Sequence, residues 1–363
     1  MHTNGTRPQN QANGLLNTHY TDAGVFAQEQ RVIFQRSWQI VGRLEELATS
    51  GDYLTCTLGG EPIVVVRDHA GLHAMYNVCA HRGMRLAEGQ GNYRRLYCPY
   101  HGWTYDLDGK LRGVPYEKCL PGVDRSQIRL KPVQVESWGG FVFVNVDADA
   151  PSLLTSLGGM VERWRGYTAV WEDLREVKRY SYDEPINWKI FMENATDYYH
   201  IPFIHSETLE LPPIIENVAC GQHFQLTPVT PEENYRRFFD LIFPNMYFHV
   251  GPSKVQLFRV TPVAPDKSHV DVILYQTAEQ AEAYPINDPR MHRDINQILH
   301  EDFTICRVLQ EQAASTAYRI LYTATDLEEG VDHFDKMVLA ALQQGESIPA
   351  KVSIADKEIA YSQ

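Results

Sequence analysis

Residues 79–103, CAHRGMRLAEGQGNYRRLYCPYHGW, carry the strongest structural signal in a chain of 363 residues. They contain two short clips, Cys79-Ala-His81 and Cys98-Pro-Tyr-His101, which are separated by sixteen residues rich in turn formers. Each clip pairs a thiol with an imidazole, and both side-chain types are metal ligands. The spacing therefore predicts one metal centre held by two neighbouring loops.

Two cysteines and two histidines in this order match the ligand set of a Rieske [2Fe–2S] cluster, in which histidine replaces cysteine on one of the two irons. A structural zinc site is the alternative, but zinc modules usually pair C-x2-C with a second C-x2-C or with H-x3–5-H. Respiratory Rieske proteins have an additional cysteine in each loop, where this chain has Met84 and Tyr100, so it resembles the oxygenase and ferredoxin branch. Trp103 is expected to cover the cluster. The predicted cluster ligands are Cys79, His81, Cys98 and His101.

The composition is that of an ordinary globular protein, with 44% hydrophobic residues and a formal net charge of −13. This charge argues against a nucleic-acid partner, which needs a basic face. No stretch approaches the ~18–20 consecutive apolar residues of a membrane span, and the first residues lack the apolar core of a signal peptide, so we expect no membrane partner. Four further cysteines have no framework spacing, which favours free thiols and a cytoplasmic location: Cys56, Cys119, Cys220 and Cys306.

The length exceeds that of one domain, and the pattern of polar, apolar and turn-forming residues changes along the chain. Residues 1–14 are polar and predict a disordered arm. Residues 15–39 contain an amphipathic pattern over 22–37, which predicts an N-terminal helix that packs on a catalytic domain. Residues 40–150 contain short strands bounded by Gly and Pro turns, which predict a small all-β domain with both clips at strand ends.

Residues 151–363 have a mixed pattern that predicts the second, catalytic domain. Its predicted helices lie near 152–167, 186–200, 289–318 and 332–344, and its predicted strands near 246–250, 255–262 and 269–276.

A second group of candidate ligands lies in Asn187–His205, NWKIFMENATDYYHIPFIH. We expect a helix that runs to about His200 and breaks at the proline two residues later. Side chains three residues apart then share one face, which places Asn194 and Asp197 beside His200. The next turn would bring His205 to the same point. Two imidazoles and a carboxylate around one centre form the facial triad of non-haem iron(II) enzymes, although the same pattern is also typical of a solvated helix end.

These two motifs in this order resemble the catalytic α subunit of a Rieske non-haem iron oxygenase, in the aromatic-ring-hydroxylating dioxygenase family. The resemblance covers most of the chain, through C-x-H-x16-C-x2-H, then E-N-x2-D-x2-H-x4-H, to the helix near residue 300. It implies an α+β fold, in which a small all-β Rieske domain is inserted near the N-terminus of a helix-grip-like catalytic domain built on an antiparallel sheet. It also implies two cofactors, a [2Fe–2S] cluster and a mononuclear Fe(2+).

The resemblance implies roles for individual residues. His200 and His205 would ligate the mononuclear iron, and Asn194 would lie beside it. Asp197 would bridge between this iron and a cluster histidine, which in this family usually belongs to the neighbouring subunit of a head-to-tail trimer. The third ligand would be Asp302, near the start of a helix and eight residues ahead of a glutamine. Neighbouring acids fit that register less well: Asp294, Glu301 and Glu311.

An oxygenase of this kind uses O2 and a small organic substrate, and it receives electrons from an NAD(P)H-dependent reductase, directly or through a ferredoxin. No nicotinamide site is predicted in the chain, because Gly89-Gln-Gly91 and Gly139-Gly140 lack the strand–GxGxxG–helix context. A separate reductase is therefore expected. The resemblance also implies a homotrimer, with or without an additional β subunit.

Substrate selection is the least specified property of the sequence. One group of aromatic side chains has three alternative interpretations. These side chains line a pocket for an aromatic ring, surround a quaternary ammonium through cation–π attraction, or form the core of the strands. They are Tyr235, Phe238, Phe239, Phe243, Tyr247, Phe248 and Phe258. Four cations would bind a substrate carboxylate or lie on the solvated surface: Arg236, Arg237, Lys254 and Arg259.

Two resemblances within the family point in different directions. The segment from Tyr20 to Trp38 and the first clip are similar to glycine betaine and choline monooxygenases, whereas Asp197 is closer to ring hydroxylases. We therefore predict hydroxylation of a small aromatic or carboxylate-bearing compound, with a monooxygenase or demethylase acting on a quaternary ammonium compound as the alternative. A Rieske electron carrier without oxygenase activity is a further alternative, but it would not need the second domain.

Overall fold

The computed structural model describes residues 14–120, 122, 124–168, 171–209, 214–229, 238–288, 294–318, 322–324 and 326–346. The predicted arm therefore lies outside the described residues apart from Gly14, as do Tyr235, Arg236 and Arg237. Within the described part of the chain, no helix is long and apolar enough to cross a membrane.

The N-terminal segment forms two helices where the sequence predicts one. Helix α1 covers Asn17–Thr21 and helix α2 covers Ala23–Val32, followed by a 3-10 turn at Phe34–Arg36. The break falls at Asp22, which takes an extended conformation and accepts a hydrogen bond from the backbone N–H of Val25, so that it caps α2. The helix predicted over 22–37 therefore corresponds to α2 and the 3-10 turn, and α1 is an additional helix ahead of it.

The first domain is all-β, as predicted. Its main sheet has seven strands in the order β1-β10-β9-β4-β3-β2-β5, and a three-stranded sheet β6-β7-β8 carries the second clip. The strands are β1 Gln39–Arg43, β2 Asp52–Leu58, β3 Glu61–Arg67, β4 Leu72–Tyr76, β5 Gln90–Asn92, β6 Leu96–Tyr97, β7 Thr104–Tyr105, β8 Leu111–Gly113, β9 Pro132–Trp138 and β10 Phe141–Asn145.

The second domain is built on a seven-stranded antiparallel sheet in the order β11-β17-β16-β15-β14-β13-β12, and this confirms the predicted α+β architecture. Its strands are β11 Arg175–Glu184, β12 Ile214–Cys220, β13 His223–Val229, β14 Phe238–Ile242, β15 Met246–Val250, β16 Val255–Ala264 and β17 Lys267–Gln276. Its helices are α3 Leu153–Leu157, α4 Gly159–Thr168, α5 Trp188–Thr196, α6 Ile201–Ile204, α7 Ala278–Ala283, α8 Ile295–Ala313 and α9 Glu329–Glu346. The sequence prediction included neither β11 nor β12–β14.

Helices α5, α8 and α9 cover one face of this second sheet, together with the N-terminal segment. One hydrophobic core joins Tyr20 and Phe34 of that segment to Trp188 on α5, Phe303 on α8 and Phe334 on α9. The N-terminal segment therefore packs on the second domain.

The opposite face of the second sheet packs against the first domain. Their shared core contains Phe141 from β10 and Phe248 from β15, with Trp171 from the 3-10 turn that precedes β11. The rings of Phe141 and Phe248 meet edge to face at 5.7 Å. The side chain of Arg43 donates hydrogen bonds across the boundary to the carbonyls of Trp171 and Leu174. The two domains are therefore joined by one continuous core.

The alternation of side chains along the strands defines a layered molecule. On β10, Phe141 lies in the core shared with the second domain, whereas Val142 lies in a core inside the first domain. On β3, Val65 shares that inner core and Val64 lies in the core next to the clips. The order is therefore clips, β2–β4, inner core, β9–β10, shared core, second sheet, then helices α5 and α8.

Candidate metal centres

The two clips form matching tight loops. The N–H of Cys79 donates to the carbonyl of Met84, and the N–H of Cys98 donates to the carbonyl of Trp103, both at 2.8 Å. Each loop contains a glycine with positive φ directly or shortly after its histidine, Gly83 at 73° and Gly102 at 71°. A side chain is strained at this φ, so the glycines allow the chain to turn back toward its own cysteine.

The side chains of the two clips converge on one point. Cys79 and Cys98 are buried, the rings of His81 and His101 lie 4.6 Å apart, and Trp103 stacks on His81 at 4.8 Å. The buried Nδ1 of His81 has no hydrogen-bond partner. A buried polar atom without a partner is costly, and two thiols with two imidazoles supply the donors of a Rieske cluster. The four predicted cluster residues therefore fit this cofactor.

Tyr105 contacts the cysteine side of this site. Its hydroxyl lies 3.1 Å from Sγ of Cys79 and 3.1 Å from the backbone N of Ala80. Burial raises the pKa of Cys79, while Tyr105 opposes that rise through its hydrogen bond. Hydrogen bonds to sulfur are one way in which a protein sets a cluster potential. Sequence reasoning did not identify Tyr105, because it lies outside both clips and reaches Cys79 through the pairing of β6 with β7.

The second site begins where helix α5 ends, which is earlier than predicted. The helix stops at Thr196, and Asp197 is extended with φ −94° and ψ 127°. The carboxylate of Asp197 accepts a hydrogen bond from the N–H of Tyr199 at 2.5 Å, a local turn that competes with the helix. The expectation of a helix continuing to His200 is therefore wrong. Asn194 lies in the last turn of α5, and its carbonyl accepts from the N–H of Asp197.

The structure brings together His200, His205 and Asp302, which are the three predicted ligands of the mononuclear iron. They are a group within the described residues whose potential ligand atoms all lie within 4.8 Å of one another. Oδ1 of Asp302 lies 2.9 Å from Nε2 of His205 and 3.6 Å from Nε2 of His200. Their side chains are 16%, 2% and 13% exposed for His200, His205 and Asp302. Two imidazoles and one carboxylate facing the same point suit an Fe(2+) ion with open positions.

The far side of each histidine ring faces another carboxylate. Oδ2 of Asp197 lies 3.1 Å from Nδ1 of His200, close enough for an ion pair although the ring is not aligned for a hydrogen bond. Nδ1 of His205 lies 2.7 Å from Oε2 of Glu301. The sequence prediction treated Glu301 only as a less favoured ligand. Adjacent helix positions point about 100° apart, so Glu301 and Asp302 reach opposite nitrogens of one ring.

The carboxylates dominate the electrostatics of this group of side chains. Burial alone would lower the pKa of His200, but Asp197 and Asp302 outweigh it and raise this pKa to about 9. Burial would likewise raise the pKa of Asp302, but the imidazoles of His200 and His205 hold it below its usual value. A histidine binds a metal in its neutral form, so a metal ion at this site would compete with protons for His200.

The candidate substrate side chains divide between the two faces of the second sheet. Phe239, Phe243, Tyr247 and Phe258 pack on the side of α5 and α8. Phe238 and Phe248 pack in the opposite core, shared with the first domain.

Two of the candidate cations have defined positions. Arg259 binds Asp271 at 2.7 Å and the carbonyl of Ile40 at 3.2 Å, so it joins the two domains on the face of the sheet away from the iron site. It is therefore not placed to receive a substrate carboxylate there. Lys254 lies in the turn between β15 and β16.

Two family models match the chain. Residues 37–127 match the Rieske [2Fe–2S] domain, and residues 171–230 and 221–344 match the catalytic domain of the ring hydroxylating alpha subunit. Together they cover both candidate sites.

Similar proteins are named as monooxygenases of quaternary ammonium compounds. The carnitine monooxygenase oxygenase subunit of Acinetobacter baumannii is 37% identical over 183 residues, which is 50% of this chain and 49% of that protein. This chain therefore spans about half the length of that relative in the alignment. The chloroplastic choline monooxygenase of Spinacia oleracea is 27% identical over 353 residues, covering 90% of this chain and 78% of that protein.

A solved structure extends the likeness over both domains. The quaternary ammonium Rieske monooxygenase CntA in complex with L-carnitine superposes with a TM-score of 0.76 at 27% identity, covering 90% of this chain and 94% of that one. The family models, this superposition and the two side-chain clusters agree domain by domain. The chain belongs to the Rieske oxygenase alpha subunits, with a Rieske [2Fe–2S] domain joined to a catalytic domain of the kind that binds a mononuclear iron.

Proposed function

We propose that this protein is the oxygenase component of a Rieske monooxygenase that acts on a small quaternary ammonium compound. The observation that carries the proposal is that one chain has two sites. His200, His205 and Asp302 lie together in the second domain, and the first domain has a complete set of cluster ligands. Iron held there would activate O2 and supply the oxidising chemistry. The protein would orient the substrate and hold the metal by one carboxylate oxygen and two imidazole nitrogens.

The substrate class rests on aromatic side chains near this site. Phe239 is stacked on His249 at 4.2 Å and meets Tyr198 edge to face at 6.1 Å. Tyr198 lies two residues before His200 and is buried. Aromatic faces attract a quaternary ammonium by about 0.5–2 kcal/mol per contact. Because the similar proteins are named for carnitine and choline, this class is favoured over the aromatic substrate that the sequence alone favoured.

The layered fold supports electron transfer between subunits. Adjacent layers of packed structure lie about 10 Å apart, and four such steps separate the clips from α5 and α8, so the two centres of one chain are roughly 40 Å apart. Direct electron transfer over that length is too slow to support turnover. A second chain would therefore bring its cluster to the iron of the first, as in a head-to-tail homotrimer.

Exposed apolar side chains support the same assembly. Next to the cluster, Tyr100 is 55% exposed and Tyr116 is 87% exposed. Next to the iron site, Tyr199 is 50% and Phe203 is 71% exposed. Large exposed aromatic side chains of this kind are typical of interaction surfaces. In the proposed assembly these two surfaces would meet, and Asp197 would accept hydrogen bonds from a histidine on each side.

The electron donor would be a separate protein. Residues 79–131 contain ten Lys and Arg but five Asp and Glu, in a chain whose net charge is −13. This basic segment includes both clips, so it suits an acidic reductase or ferredoxin through electrostatic steering. The four cysteines outside the clips form no disulfide in the described structure, which supports a reducing, cytoplasmic location for the complex.

Iron content tests the proposal against a plain electron carrier. The purified protein should contain about three irons per chain, two in the cluster and one in the catalytic domain. His205→Ala should lower this to about two and leave the Rieske absorption spectrum unchanged. Two irons per wild-type chain would favour the carrier, and zinc without visible absorption would refute both.

A substrate panel tests the quaternary ammonium class. With a surrogate reductase, product-coupled O2 uptake should be higher for carnitine, choline and glycine betaine than for benzoate. Phe239→Leu should raise KM for the preferred compound by about 5- to 30-fold, which corresponds to one lost cation–π contact. Phe238→Leu is the matched control, because its side chain faces the opposite core. Coupled uptake with benzoate alone would restore the aromatic alternative.

A further inference from the structure

His205 is held at both ring nitrogens by consecutive residues of helix α8. Nε2 lies 2.9 Å from Oδ1 of Asp302, and Nδ1 lies 2.7 Å from Oε2 of Glu301. The ring is 2% exposed and is therefore fixed by its surroundings as well. With Nδ1–H donating to Glu301, the lone pair of Nε2 is directed at the point that Asp302 and His200 also face.

Glu301 is itself held by other donors. The hydroxyl of Thr208 donates to Oε2 at 2.7 Å, and the amide of Gln297 donates to Oε1 at 3.0 Å. Both donors are neutral, so the negative charge of Glu301 is opposed by His205 alone among these three partners. A carboxylate oriented by these two donors therefore faces the ring.

The two histidines of the triad have different outer partners. Nδ1 of His200 faces Asp197, which the proposed function assigns to contact with a neighbouring subunit. Nδ1 of His205 faces Glu301, whose contacts lie within the same chain. In the proposed assembly, His200 would therefore be linked through Asp197 to the electron-donating cluster, whereas His205 is held only by residues of its own chain.

We propose that Glu301 is a positioning residue for the mononuclear iron, which fixes the tautomer and orientation of His205 and strengthens it as a ligand, while Asp302 binds the metal itself. This inference rests on the proposed metal site. A carboxylate hydrogen-bonded to the far nitrogen of a ligand histidine raises the basicity of that ligand, and its loss typically costs 10–100-fold in metal affinity.

Cobalt binding tests this role without measuring turnover. The mononuclear iron is removed from the purified enzyme with a chelator, and the protein is titrated with Co2+ while its visible d–d absorption is followed. We expect Glu301→Ala to weaken Co2+ binding 10–100-fold and to shift the d–d bands, because the ring of His205 is no longer fixed. Glu301→Gln keeps an acceptor oxygen without the charge, so it should fall between Ala and wild type.

Controls separate the possible failures. Glu311→Ala changes an exposed acid on the same helix and should bind Co2+ as wild type does. Rieske absorption reports whether each variant is folded, and if Glu301→Ala does not fold, the nearly isosteric Glu301→Gln decides. Unchanged affinity and bands in the folded Glu301 variants would overturn the positioning role. Absence of Co2+ binding by the wild type would instead refute the proposed metal site.

Discussion

Asp197 lies 3.1 Å from His200 at the point where helix α5 ends, and its side chain is 18% exposed. The next residue but one, Tyr199, is 50% exposed. The carboxylate is thus close to one proposed ligand of the iron and still accessible from outside the chain. This position suits a group that connects two subunits, and it leads to the first prediction.

Asp197→Asn should leave both metal centres filled and nearly abolish turnover. The amide lacks the negative charge that faces His200 and that would attract a histidine of a neighbouring cluster. We expect activity to fall by about 100-fold or more, with about three irons per chain and a cluster that dithionite still reduces. Normal coupled turnover of this variant would refute the bridging role.

Mixed oligomers should recover activity that neither parent has. Cys79→Ser would remove the cluster and His205→Ala the mononuclear iron, so each homo-oligomer should be inactive. When the two are co-expressed with different tags and purified on both, an intact cluster in one chain can serve an intact iron site in the next. About one-third of wild-type activity or less is expected from trimers of mixed composition. Inactive mixed oligomers with correct metal content would argue for transfer within one chain.

Asp335 should make the protein less stable as pH rises. Its side chain is 3% exposed, and burial raises its pKa to about 7 from an ordinary 3.8, with Asp332 adding to the rise and Lys189 and the N–H of Leu15 opposing it. The folded state therefore binds more protons than the unfolded state between about pH 4 and pH 7, and stability falls across that window.

Urea denaturation at pH 5 and pH 8 measures this effect. The wild type should lose roughly 2–4 kcal/mol between these values, and Asp335→Asn should lose less because the amide does not titrate. Some dependence will remain, since burial also raises the pKa of the neighbouring Glu193. Equal losses in variant and wild type would show that Asp335 is not the titrating group.

The ion pair between Glu29 and Lys189 should be costly to break. Both side chains are 0% exposed, and their charged atoms lie 2.6 Å apart. Glu29→Gln leaves the ammonium buried without its partner, so the free energy of unfolding should fall by about 3 kcal/mol or more. Glu162→Gln, which breaks an exposed pair with Arg165, is the control and should change it by less than about 1 kcal/mol. Similar small losses in both variants would contradict the prediction.

Local motifs were the part of this protein that could be predicted from sequence. The clips place their four ligands within a few residues of tight turns, so spacing alone indicates the cluster. Asp302 lies 97 positions from His205, and only a family resemblance could select it. Apolar periodicity does not show where α5 ends, because the helix stops where the side chain of Asp197 accepts a hydrogen bond from the backbone N–H of Tyr199.

Tertiary packing explains what sequence reasoning could not reach. Phe238 and Phe239 are adjacent in sequence but belong to opposite cores, so composition alone could not say which of them lies near the iron site. Tyr105 and Glu301 act on residues that the motifs identified, but they approach from a different strand and a different helix. Their roles follow from the fold and not from any local pattern.

The core shared by the two domains has a consequence for attempts to divide the chain. The chain has six tryptophans, and four of them lie in the shared core or at the edge of that core: Trp38, Trp138, Trp164 and Trp171. A fragment cut between the domains would expose this aromatic surface to water on both halves and would aggregate. The boundary near residue 150 therefore separates the domain of the cluster site from the domain of the proposed iron site. It does not separate two units that fold alone. Neither half is a suitable reagent for studying the other.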